Sequence, residues 1–167
     1  METSAKITVS PTRVAMNAGA LTAVLMLVIS VMGLRIVELI VFMCGIYIGM
    51  KMFKNELGGI IVYTRALNAG FQTAFYASLI LAFSAYVVTT LDPMSIPEIL
   101  NAMEQQLKMS NAQPELVETV MYKWREILSP NVFAGINILI YTLIGSLVSL
   151  LLAFFVRNAK PGEFVEY

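Results

Sequence analysis

The stretch ALNAGFQTAFYASLILAFSAYVVTTL, from Ala66 to Leu91, decides the fold. It carries no charged residue, and it exceeds the roughly 20 apolar residues that a helix needs to cross a hydrocarbon core of about 30 Å. Three further runs resemble it: Val14 to Leu34, Ile36 to Phe53 and Val132 to Val156. Water is missing from that core, so each spanning segment must satisfy its own backbone N–H and C=O groups, which leaves helices and closed barrels. Runs this long select helices over barrel strands. The chain therefore reads as all-α, a polytopic membrane protein with four transmembrane helices, forming one integral membrane domain over its whole length.

The composition agrees. Of 167 residues, 58% are hydrophobic and 13% charged, where soluble domains carry about 25% charged residues. The 11 basic residues balance the 11 acidic ones, so no nucleic-acid partner is suggested. There is no His and a single Cys, Cys44, which excludes an intramolecular disulfide, a CxxC redox pair and a Cys/His zinc site. Cys44 reads as a small packing residue, and no cofactor is expected. Lys6 and Arg13 precede the first apolar run as in a signal peptide, but that run is too long for a signal h-region of about 7–15 residues. It is read as an uncleaved first span.

Lys and Arg in short flanking loops set orientation. With four spans, one side holds Lys6, Arg13, Lys51, Lys54, Arg65, Arg157 and Lys160, and the other holds Arg35, Lys108, Lys123 and Arg125. The expectation is a bacterial inner (cytoplasmic) membrane protein with both termini cytoplasmic. A single helix from Val14 to Phe53 would be about 60 Å long at 1.5 Å per residue and would put Arg35 and Glu38 in mid-membrane. A tight turn at Gly33 to Ile36 brings both to the outer interface instead.

Lipid supplies no hydrophobic drive between helices, so small residues that allow close approach carry association. The first span has Ala15, Gly19 and Ala23, the second Gly45 and Gly49, and the fourth Gly145, Ser149 and Ala153. The third has the longest row: Ala66, Gly70, Ala74, Ser78 and Ala82. That row is expected to face another helix of the chain, with homodimerisation as the alternative. Asn17, Glu38, Asn68, Gln72 and Asn137 are the polar residues of the spans, read either as hydrogen-bonding glue between helices or as a polar lining.

Between the second and third spans, Gly58-Gly59 marks a turn, and Thr64 is the expected cap of the third helix. The residues from Asp92 to Pro130 read as an amphipathic helical hairpin outside the membrane. Its first helix opens on the capping box Ser95-x-x-Glu98 and presents Ile96, Ile99, Leu100, Met103 and Leu107. Its second opens on Pro114 and presents Leu116, Val117, Val120, Met121, Trp124, Ile127 and Leu128 at helical offsets. Trp124 is the candidate interface anchor or partner contact.

The order of these pieces has a parallel. A hairpin of spans leads to Gly49-Met50-Lys51-Met52-Phe53-Lys54, then Gly58-Gly59-Ile60, then Arg65-Ala66 entering a span that contains Gly70. A charged helical hairpin and a last span follow. This resembles an uncharacterised membrane family of Bacteroidetes, family forty-one ninety-nine of the domains of unknown function. That family's pattern reads Gly-Ile-Lys-x-Tyr-Arg-Asp before its Gly-Gly; Phe53, Lys54 and Asn55 replace the last three residues here. The resemblance implies a four-helix inner-membrane protein without catalytic residues, and it suggests a glycosyltransferase-type membrane protein as partner.

For function, the sequence favours a non-enzymatic accessory or scaffolding subunit in cell-envelope biogenesis. The alternative is a small transporter or lipid-handling protein acting as an oligomer. An enzyme is not expected: there is no His, no Ser/Lys or paired-carboxylate motif, and no acid at mid-span.

Overall fold

The computed structural model describes residues 11–92, 94–110 and 112–158. Lys6 and Lys160 lie outside the described residues. Six helices and no strand occur among those described: α1 (Pro11–Val31), α2 (Arg35–Glu56), α3 (Tyr63–Leu91), α4 (Ser95–Met109), α5 (Pro114–Ile127) and α6 (Pro130–Val156). Four of them, α1, α2, α3 and α6, are long and apolar enough to cross a membrane.

Several ends lie about a turn from the expected ones. α1 starts at Pro11 rather than Val14 and stops at Val31, α2 continues to Glu56 and α3 begins at Tyr63. Hydropathy marks only the part of a helix that needs lipid, whereas backbone hydrogen bonding continues into the headgroup layer, where Arg13, Lys54 and Arg65 are tolerated. Thr64 accordingly lies inside the first turn of α3 and does not cap it. At about 1.5 Å per residue, α1 and α2 are just long enough for a bilayer. The 29 residues of α3 and 27 of α6 exceed it by about 10 Å.

The turns follow backbone chemistry. Met32 N–H and Gly33 N–H close on the carbonyls of Ile29 and Ser30, and Gly33 takes φ +72°, a region only glycine enters without strain. α2 ends in a Schellman motif: Gly58 N–H donates to Asn55 O and Gly59 N–H to Lys54 O, with φ +78° and +88°.

By contacts the chain divides into two compact units, Met1–Ile80 with Ile140–Tyr167, and Leu81–Leu139. In the first, α1 and α2 form a close antiparallel pair, and Met26, Phe42, Ile46, Met50 and the row Ala66, Ala74, Ser78 are fully buried. In the second, α4 and α5 are in contact. α4 begins differently from expectation: Ser95 is no cap, since its Oγ donates to Asp92 Oδ2 while Asp92 Oδ1 accepts from Met94 N–H. Asp92 is acceptor-only and one turn earlier, which suits it better to the orphan donors at a helix start. In α5, Val117 and Met121 are buried, as is Leu128 just after its end, while Val120 and Trp124 are half-buried and Leu116 and Ile127 exposed. The buried arc is thus narrower than the apolar stripe.

Candidate functional site

Five glycines within the spanning helices, Gly19, Gly45, Gly49, Gly70 and Gly145, sit where another helix passes. A Cβ on Gly19 would lie 2.8 Å from the Thr73 carbonyl of α3, and one on Gly45 would run into Thr22 of α1. Gly49 faces Thr73 and Ala18; Gly70 faces Met50 of α2 and Ser149 of α6; Gly145 faces Ala74 of α3 and Phe42 of α2. α3 therefore meets all three other spans along residues that present almost no side chain. Ser78 completes the row: its Oγ donates to Phe75 O and lies 2.9 Å from Thr142 Oγ1 of α6. Buried hydroxyls of Thr22 and Thr73 back-bond to the carbonyls of Ala18 and Ala69 four residues earlier, satisfying them without leaving their helix.

The amides behave otherwise than a glue would. Asn17 and Asn68 are exposed. Gln72 Nε2 donates to Asn68 Oδ1 on the same helix at 3.4 Å, and Asn137 Nδ2 donates to Phe133 O on its own helix. Short, flexible amides reach their own helix more cheaply than a neighbour. Besides the Ser78–Thr142 pair, a polar contact across the bundle comes from Tyr141, whose hydroxyl donates to Glu38 Oε1 at 2.9 Å, beside an edge-to-face pair of its ring with Phe42. The sequence reading missed Tyr141 and Thr142. The available signal was two polar-tipped residues side by side in an otherwise aliphatic run. Cys44, read as a packing residue, is exposed on α2.

A second set of polar contacts joins the end of α6 to the loop before α3. Asn158 Oδ1 accepts from Ile61 N–H at 3.0 Å, its Nδ2 donates to Gly59 O at 2.8 Å, and its own N–H donates to Ile61 O. Lys54 Nζ donates to Val156 O, placing a cation at the negative end of the α6 dipole. The start of α3 and the end of α6 thus lie at one face of the bundle. Just beyond, Thr64, Leu67, Asn68 and Phe71 of α3 with Ser146 and Leu150 of α6 line an open groove of about 420 Å³. The oxygens Gln72 Oε1 and Ser149 Oγ are buried without a hydrogen-bond partner.

In the second unit a cleft of about 520 Å³ is lined by Glu104, Lys108, Val117, Met121, Tyr122 and Arg125, among others. Glu104 is its electrostatic centre, bonded to Lys108 at 2.7 Å and to Arg125 of α5 at 3.0 Å. The hydrogen bond and charge of Lys108, then Arg125, hold the Glu104 carboxyl below its ordinary pKa. Trp124 is half-buried, one position before Arg125. No group of three or more His, Cys, Asp or Glu able to hold a metal ion occurs among the described residues.

Four long apolar helices, three of them converging on the fourth through residues without bulk, define an integral membrane protein of the polytopic helical class. The chain belongs to the family described as protein of unknown function (DUF4199), whose model matches residues 14–158. No curated protein and no solved structure matches it.

Proposed function

We propose that this protein is a non-enzymatic accessory subunit that stabilises or positions a membrane partner in cell-envelope biogenesis. In this reading it sits in the bacterial inner membrane with both termini cytoplasmic, and α4 and α5 form a helical hairpin on the outer side. The observation that carries it is the surface of α4 and α5. Leu116, Tyr122 and Ile127 of α5 are exposed, and Tyr122 lines the same cleft as the Glu104–Arg125 pair, a mixture of apolar, aromatic and arginine groups typical of contact surfaces. Connecting two spans needs only a few residues, so a segment this long and this patterned asks for another role. A glycosyltransferase-type membrane protein is the partner the family resemblance favours.

Quantitative co-purification from native membranes tests the proposal. A stoichiometric partner should be recovered with the intact chain and lost when residues 94–128 are replaced by a Gly/Ser linker. A protein always recovered alone, or a linker variant with full cellular function, would overturn it. Orientation is read separately, after Cys44→Ser, from labelling in intact cells: a Cys at Gln105 should react and one at Asn55 should not.

A further inference from the structure

We propose that the groove between α3 and α6 is a binding site for one diacyl phospholipid, held through its ester carbonyls by Asn68 and Thr64. This site is independent of the accessory-subunit reading and is defined first by where the groove lies. Along α3, Thr64, Asn68 and Phe71 follow Tyr63 by about 1.5, 7.5 and 12 Å; along α6, Leu150 and Ser146 precede Val156 by about 9 and 15 Å. Since the start of α3 and the end of α6 are tied together by Asn158, the groove rises from the headgroup level to about 15 Å, half of the hydrocarbon core. It is one leaflet deep.

Its chemistry changes along that rise as a lipid's does. The outer end carries Thr64 and Asn68, and the walls further in are Leu67, Phe71 and Leu150. Ser146 is the deepest polar residue, but its hydroxyl proton is committed to Thr142 O at 2.6 Å. Phe71 is 41% exposed and stacks nearly parallel on Phe75, 10° between planes, giving a flat wall suited to an acyl chain. Asn68 is set as a donor. Its Oδ1 already accepts from Gln72, which leaves the Nδ2 hydrogens directed away from that bond, and the Thr64 hydroxyl lies one turn before it on the same face. Among the described residues no charged side chain lines the groove, so the complementary group is a neutral acceptor at the level of the glycerol backbone. An ester carbonyl meets that description; a phosphate does not. The volume, about 420 Å³, takes the ester region and part of an acyl chain, the rest of the lipid lying against the open side.

The test uses the full-length protein, relipidated with palmitoyl-oleoyl phosphatidylethanolamine or with its dialkyl ether analogue, which lacks the carbonyls. Native mass spectrometry counts retained lipids. The wild type should hold one diester lipid at least fivefold more than the diether. Asn68→Leu should erase that preference, Ser146→Phe should reduce retention of both lipids by filling the groove, and Asn17→Leu, an exposed amide elsewhere, should change neither. Equal retention of ester and ether lipid by the wild type would overturn the proposal without needing any variant to fold. So would a lipid-free dimer that Asn68→Leu converts to monomer, because protein would then be the occupant. Neither result bears on co-purification of a partner, so the two readings fail separately.

Discussion

In the spanning unit the helices meet where side chains are missing: Gly19 on Thr73, Gly45 on Thr22, Gly70 on Ser149, Gly145 on Ala74. In the second unit α5 buries Val117 and Met121 and bridges to α4 through the long side chains of Arg125 and Glu104. The difference follows from the solvent each expects. Lipid is as apolar as a leucine side chain, so burying leucine between spans gains little and close backbone approach gains dispersion contacts. α4 and α5 are not among the helices long and apolar enough to cross a membrane, and in water the burial of apolar side chains is itself the driving force. One unit should therefore fail when volume is added, the other when volume is removed.

The largest expected effect is Gly70→Leu, whose side chain must displace Met50 and Ser149. We expect a loss of about 3 kcal/mol or more in thermal or denaturant unfolding in detergent, with Ala74→Leu costing about 1–3 kcal/mol. Wild-type stability in both would mean that this face does not pack. Next, Met121→Ala should cost about 2–3 kcal/mol by leaving a cavity, whereas Val120→Leu, half-buried on the same helix, should cost less than about 1 kcal/mol. If enlargement at Val120 proves as damaging as at Gly70, the contrast between the units collapses. A smaller term is the hydroxyl pair between α3 and α6. A double-mutant cycle of Ser78→Ala and Thr142→Val should give a coupling near 0.6 kcal/mol; zero coupling would show that each hydroxyl is satisfied by its own helix.

The smallest effect is electrostatic. Because Lys108 and Arg125 depress the Glu104 pKa, the folded state binds that proton less readily than the unfolded chain. The resulting stability is present above the ordinary carboxylate value, near 4.3, and is lost as pH falls through the lowered one. Trp124 is the chain's single Trp, and its emission should shift on acidification below about pH 4. Glu104→Gln should flatten that limb, and an unchanged limb would assign it to another carboxylate.

The contrast also explains what could be read in advance. The four spans and the all-helical class were legible because length and hydropathy are properties of a segment alone. The small residues at Gly19, Gly45, Gly49, Gly70 and Gly145 were legible as positions, but which helix each would meet was not, because a glycine carries no complementary shape. Which of the two readings of the amides, glue or lining, would hold was not legible, since nothing in Asn68 or Asn137 says whether it will prefer its own helix. Tyr141 and Glu38 are separated by 103 residues, and no local pattern ties them. The Ser95 box failed because Asp92, three residues earlier, is the stronger acceptor.

The ties made by Asn158 give the chain an order of completion. Gly59 O, Ile61 N–H and Ile61 O belong to the loop before the third helix, yet their partner arrives 97 residues after Ile61. During synthesis the loop must wait, hydrated, for the very end of the last helix to return to it. A nascent chain stopped at Arg157 has every transmembrane helix and lacks its fastening, and we expect membrane proteases to clear it faster than the chain extended by that one asparagine, as a pulse-chase comparison would measure. Asn158 then fastens the loop before α3 only once the last helix has been made.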